Sequence, residues 1–139
     1  MLELKMQSYF VRVERTDANH PRASVGEFEL SLGARRADPT AGFNPVETLL
    51  AALGDCLLTA LDFEAELSKI PITGAWIELE ATRQDKPPSL NRIRYTLHLA
   101  SEAPKERVEC LVGLAERNST VFQTLSQTLP IEGHWEMSS

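Results

Sequence analysis

The chain opens with period-two alternation. Tyr9, Val11 and Val13 alternate with Phe10, Arg12 and Glu14, and Phe28, Leu30 and Leu32 alternate with Glu27, Glu29 and Ser31. Alternation on both sides of the turn-rich stretch Asp17-Ala18-Asn19-His20-Pro21 predicts an antiparallel hairpin with one buried face. Residues 33–43, with Asp38-Pro39 and Gly42, read as a loop. The period then changes. Asn44 is a favoured N-cap, Pro45 suits the first helical position, and Glu47 completes a capping box and sets a negative charge at the positive helix end. The predicted helix runs to about Ser68, and Pro71 marks its end. Its centre, Leu49 to Leu61, is apolar on nearly every face, so the helix is expected to be buried all round, in a core or a subunit interface.

Two further strands follow. Ile77, Leu79 and Ala81 alternate with Glu78, Glu80 and Thr82, and Ile93, Tyr95, Leu97 and Leu99 alternate with Arg94, Thr96 and His98. The segment Lys86-Pro87-Pro88-Ser89 supplies the turn. Pro104 starts a second helix with the stripe Val108, Leu111, Val112 and Ala115. Thr120 with Gln123 predicts the cap of a short third helix carrying Phe122 and Leu125, and a last strand is placed over Ile131 to Met137. The order ββαββααβ contains no βαβαβ alternation, so the class is α+β with antiparallel sheet. No repeat or linker divides the sequence, which reads as a single domain over residues 1–139.

Composition narrows the function classes. Of 139 residues, 42% are hydrophobic and 24% charged, enough for a packed core. A net charge of −6 repels phosphate backbones and anionic headgroups, so neither nucleic acid nor a membrane surface is expected as partner. The longest apolar stretch is interrupted by Asp55 and falls short of the roughly 20 residues that span a bilayer. The start MLELKMQSYF has no signal pattern, so a cytoplasmic, reducing setting is expected and the two cysteines are two thiols.

Metal and nucleotide chemistry find no motif. His20, His98 and His134 lie in different elements, and the seven glycines form neither GxGxxG nor a P-loop. That leaves the thiols. Cys110 lies about 150° from the centre of its helix's apolar stripe, beside Glu106, where negative neighbours disfavour the thiolate. Cys56 lies inside the apolar helix, where a cysteine serves equally well as a small core residue.

The segment around Cys56 adds to this reading. Asn44-Pro45, Glu47, Leu49-Leu50-Ala51-Ala52 and Cys56 resemble the central motif of the OsmC/Ohr family, the osmotically induced protein C and organic hydroperoxide resistance proteins. Residues 114–121 resemble its second cysteine region, with Ser119 in place of the cysteine. The resemblance implies an OsmC-like fold, antiparallel sheets around a long buried central helix, in an intertwined homodimer. It also implies a thiol-dependent peroxidase, a hydroperoxide reductase of the oxidative or osmotic stress response. Cys56 would attack an organic hydroperoxide, and an arginine from the loop before the helix would favour the thiolate. Arg36 is preferred over Arg35 and Arg22 for that role, with Glu47 orienting it. Apolar pocket walls would come from Phe43, Leu49, Leu53 and Phe122. No cofactor is implied, but an external thiol reductant is, because Ser119 cannot form a disulfide. Two further departures are Val46, which stands directly after the proline where hydroperoxide-specialised members have the acid, and Asp55 beside Cys56. The alternative is a non-catalytic protein of the same fold whose pocket binds a small apolar ligand.

Overall fold

The structure, a computed structural model, describes residues 6–17, 20–33 and 40–127. In chain order its elements are β1 (Arg12–Asp17), β2 (His20–Val25), β3 (Phe28–Ser31), α1 (Pro45–Ser68), β4 (Gly74–Asp85), β5 (Pro88–Ala100), α2 (Lys105–Asn118) and α3 (Thr120–Leu125). The chain divides into two compact units after Leu49, inside α1. The expected last strand over Ile131 to Met137 lies outside the described residues.

In the first unit the expected two-stranded hairpin is a three-stranded antiparallel sheet in the order β1-β2-β3. The middle strand escapes the pattern reading because HPRASV has no large apolar alternation and carries a proline. Pro21 stands opposite the irregularity between Arg15 and Asp17, where a missing N–H is tolerated. Gly26, at φ +56°, makes the tight turn into β3. The register lines up Val13, Ala23 and Leu30 on one face, next to the pair Val25 and Phe28. Arg12, Ser24 and Glu29, then Glu14, Arg22 and Ser31, share the other. Both faces are open: Phe28 is 82% and Leu30 60% exposed.

The approach to α1 is pinned to this sheet. The Gly33 N–H donates to the Phe43 carbonyl at 2.8 Å, and Leu32 and Phe43 form an isolated parallel bridge. Gly42 is required there, because a Cβ would overlap the Ser31 carbonyl oxygen. The capping box then closes as the sequence predicts. The Asn44 N–H donates to Glu47 Oε1 at 2.9 Å, and the Glu47 N–H to Asn44 Oδ1 at 2.8 Å.

At the other end of α1, Lys69 takes a left-handed conformation with φ +56°. The Ile70 N–H reaches back to the Ala65 carbonyl at 2.9 Å and the Lys69 N–H to Glu66 at 3.3 Å. Those two bonds and the buried pair Ala65 and Ile70 make a Schellman closure, with lysine where glycine is usual.

In the second unit β4 and β5 form a long hairpin turning at Lys86-Pro87. Pro88 and Ser89, expected in the turn, already belong to β5. The pairs Ala75–Leu99, Ile77–Leu97, Leu79–Tyr95 and Ala81–Ile93 share the half-buried face. Gly54 of α1 lies against that face, since a Cβ on it would stand 2.9 Å from Leu79 Cδ1 and 3.3 Å from Ile77 Cγ2. The core joins Leu61 and Ala65 of α1, Ile70, and Leu111 and Ala115 of α2, with Ala75, Leu97 and Leu99 packed on it.

Two stability outcomes follow from this packing. Lys69→Gly relieves the left-handed strain, partly offset by glycine's unfolded-state entropy, and raises stability by roughly 0.5–1 kcal/mol, read as a higher urea midpoint at unchanged slope. Leu61→Ala, at a fully buried position, costs about 2–5 kcal/mol in the same experiment.

Candidate functional site

Helix α1 does not bury its whole circumference within the chain. Leu53, Gly54, Leu57, Leu61, Glu64 and Ala65 form its buried face. At about 100° per residue, Ala52, Cys56, Phe63 and Leu67 fall within roughly 60° of arc on the flank of that face. Cys56 is half-buried and a free thiol, while Phe63 and Leu67 are 60% and 65% exposed. The thiol therefore sits on an apolar flank of α1 whose described neighbours Phe63 and Leu67 are exposed. Asp55, beside it in sequence, is exposed.

The other expected site residues are distributed as follows. Glu47 stands nine residues before Cys56 on the same helix, and its carboxylate caps the first turn through Oε1. Arg36 and Arg35 lie outside the described residues. Arg22 lies on the polar face of the β1–β3 sheet, with Nη1 3.7 Å from Glu29 Oε2. The expected pocket walls have separate surroundings: Leu53 is turned into the core, Phe43 is exposed, and Phe122 packs edge-on against Tyr95 with centroids 6.5 Å apart.

Ser119 is fully buried and has a structural task. The cap of α3 was expected at Thr120. It is Ser119, whose hydroxyl accepts the Phe122 N–H at 3.2 Å, because Ser119 is extended (ψ 112°) and α3 begins one residue after it. Gln123 also fills another role than the expected box partner. Its Nε2 donates to the Glu116 carbonyl of α2 at 3.1 Å and ties the two helices together.

Pattern reading missed the polar groups around this corner. Tyr95, on the inward face of β5, donates its hydroxyl to Glu116 Oε2. Burial first, then that hydrogen bond and the charge of Glu116, push the Tyr95 hydroxyl well above its ordinary value of 10.0. Asn118 Nδ2 donates to Glu64 Oε1 at 2.7 Å, so a carboxylate on the buried face of α1 has a partner from the end of α2. The one signal for Tyr95 was a hydroxyl inside an apolar alternation; a buried phenol takes a polar partner.

Cys110 is exposed and lines a shallow cavity of about 350 Å³ with Ser68, Ile70, Glu106, Arg107, Leu111 and Leu114. Arg107 crosses to the end of α1, its Nη2 donating to the Ser68 carbonyl at 3.1 Å. Among the described residues no three His, Cys, Asp or Glu side chains stand together as metal ligands. Nor is any helix among them long and apolar enough to cross a membrane.

A family model described as OsmC-like protein matches residues 36–133, well over half of the chain. The chain belongs to the OsmC family. Its fold is similar to that of an OsmC-like protein from Mycoplasma pneumoniae, at 19% identity over 86% of this chain and 88% of that one, with a TM-score of 0.81. It is also similar to the organic hydroperoxide resistance protein OhrB of Bacillus subtilis, at 18% identity over 84% and 89% of the two chains, with a TM-score of 0.60. An OsmC-like hydroperoxide resistance protein from Jannaschia sp. matches at 18% identity over 85% and 83%, with a TM-score of 0.59. No curated protein matches the sequence. The antiparallel α+β architecture anticipated from the sequence is thus the OsmC-like fold.

The corner is open to two measurements. Ser119→Ala removes the α3 cap and costs about 1 kcal/mol, seen in the urea midpoint. Tyr95 contributes stability that is fully present below pH 10 and is lost as pH rises, since the unfolded phenol ionises first. Stability therefore falls in the wild type as the pH is taken above 10, and Tyr95→Phe flattens that fall; an unchanged slope in the variant contradicts the assignment.

Proposed function

We propose that the protein is a thiol-dependent reductase of organic hydroperoxides in which Cys56 is the nucleophile. The observation that carries this reading is the thiol itself. Cys56 occupies the motif's cysteine position, half-buried in an apolar stripe of α1 and not lost in the core. The similar solved proteins named for hydroperoxide resistance support it. The thiolate attacks the distal peroxide oxygen, the O–O bond breaks, the alkoxide leaves and takes a proton, and Cys56 becomes a sulfenic acid. An apolar stripe favours an organic peroxide over hydrogen peroxide.

Arg36 is assigned to favour the thiolate and to receive the developing alkoxide charge. Glu47 is assigned to orient it, and the cap does not preclude this, because a carboxylate has about four acceptor sites and the cap takes one. No cofactor enters this chemistry, and a cytoplasmic setting with reduced thiols suits it.

The same reading includes a homodimer. Two apolar surfaces call for it: the Val13, Leu30 and Phe28 face of the β1–β3 sheet and the Phe63 and Leu67 flank of α1, both exposed in one chain. A second copy supplies the surfaces that cover them and closes the peroxide site.

Two experiments test these points. Consumption of cumene hydroperoxide with excess dithiothreitol is expected to fall to the buffer rate in Cys56→Ser and to persist in Cys110→Ser; a fully active Cys56→Ser leaves the ligand-binding alternative in its place. In sedimentation the wild type is expected as a dimer, with Phe28→Asp and Phe63→Glu each shifting it toward monomer.

A further inference from the structure

We infer that the cavity between the end of α1 and the first turns of α2 is a second binding site, for a small amphipathic carboxylate of the free medium-chain fatty acid class. It is separate from Cys56: Ser68, on its wall, stands twelve residues beyond that thiol, about 18 Å along the helix axis at about 1.5 Å per residue. The floor is core, since Ile70 and Leu111 are buried. Leu114 and Cys110 complete an apolar wall. The space of about 350 Å³ suits a ligand of modest size, because small-molecule sites begin at about 300 Å³.

Charge at the rim selects the head group. Arg107 lines the cavity, and its Nη2 is anchored on the Ser68 carbonyl at 3.1 Å. A guanidinium has five N–H donors, so this bond positions the group and leaves others for a ligand. Lys69 is exposed and stands between the lining residues Ser68 and Ile70. Among the described residues no carboxylate pairs with its ammonium. Lys105 and Glu109 fall about 160° and 200° around α2 from Arg107, on its other side. Among the described residues the head group therefore meets two cations, Arg107 and Lys69, against one anion, Glu106, in a protein of net charge −6. A carboxylate is favoured there over an ammonium, and its alkyl chain gains by leaving water for Ile70, Leu111 and Leu114. Lysine also holds position 69 at a conformational cost, because its φ of +56° is one that glycine adopts freely. A Schellman closure needs a left-handed residue and no charge, so the ammonium has a task outside the fold.

Cys110, on the cavity wall, is the reporter. In full-length Cys56→Ser protein, alkylation of Cys110 by iodoacetamide is timed by mass spectrometry as sodium octanoate is added below its micelle concentration. Octanoate is expected to slow the reaction saturably, octanol to do so less well, and urea-unfolded protein to show no protection. Lys69→Gly and Arg107→Gln are each expected to raise the half-protecting concentration roughly two- to fivefold, the range of an exposed charge pair. Lys69→Gly decides most, because it stabilises the fold and a merely structural lysine would leave octanoate binding unmoved. The inference is overturned by absence of saturable protection, by equal protection from octanol, by protection that survives unfolding, or by an unchanged half-protecting concentration in Lys69→Gly.

Discussion

A 24-residue helix with apolar side chains over most of its surface is the constraint around which the second unit is built. One face of α1 is absorbed: Gly54 lets the β4–β5 hairpin close to van der Waals distance, and Leu61 and Ala65 meet Leu111 and Ala115 of α2. Burying such a face is what stabilises a small domain, and a chain this short has few further layers to offer the rest. Phe63 and Leu67 therefore point outward on the flank that carries Cys56. On the proposed reading, covering that flank and enclosing the thiol are one event. Association would then remove water from around the reacting sulfur, where a weakly screened cation acts most strongly on a thiolate.

The elements that announce themselves in the sequence are those whose determinants are local. Asn44, Pro45 and Glu47 cap a helix through residues three apart, and both capping hydrogen bonds form. The β4–β5 hairpin follows from strict alternation, and its inward rows are the residues the alternation selects. What was missed has non-local causes. Strand β2 reads as a turn because its residues are small or polar; it is a strand because both neighbours pair with it, and an irregularity in β1 accommodates its proline. The start of α3 moved by one residue because Ser119 and Thr120 are equally good caps in isolation, and Gln123 is drawn to α2 instead of back to the cap.

The site shows the same division. Cys56 was singled out because a motif of fixed spacing surrounds it, and the fold leaves its thiol free and half-buried. The pocket walls were chosen by their apolar character alone, and that property cannot separate a residue facing a cavity from one facing the core: Leu53 went inward and Phe122 onto Tyr95. The bonds from Tyr95 to Glu116 and from Asn118 to Glu64 span 21 and 54 residues, and no pattern along the chain relates their ends.

Ser119 joins these threads. A cysteine at a helix N-terminus gains thiolate character from the helix dipole, and a serine at the same place gains a cap. The two side chains differ by one atom, yet each suits the position for a different reason. With serine, the hydroxyl satisfies an amide that would otherwise be buried unpaired, and the surrounding bonds hold α3 onto α2. A thiol at 119 is a weaker acceptor and would loosen the corner it occupies. On the proposed reading, a fixed corner stands at position 119 where the resemblance places a second thiol, and the reducing equivalents come from outside the chain.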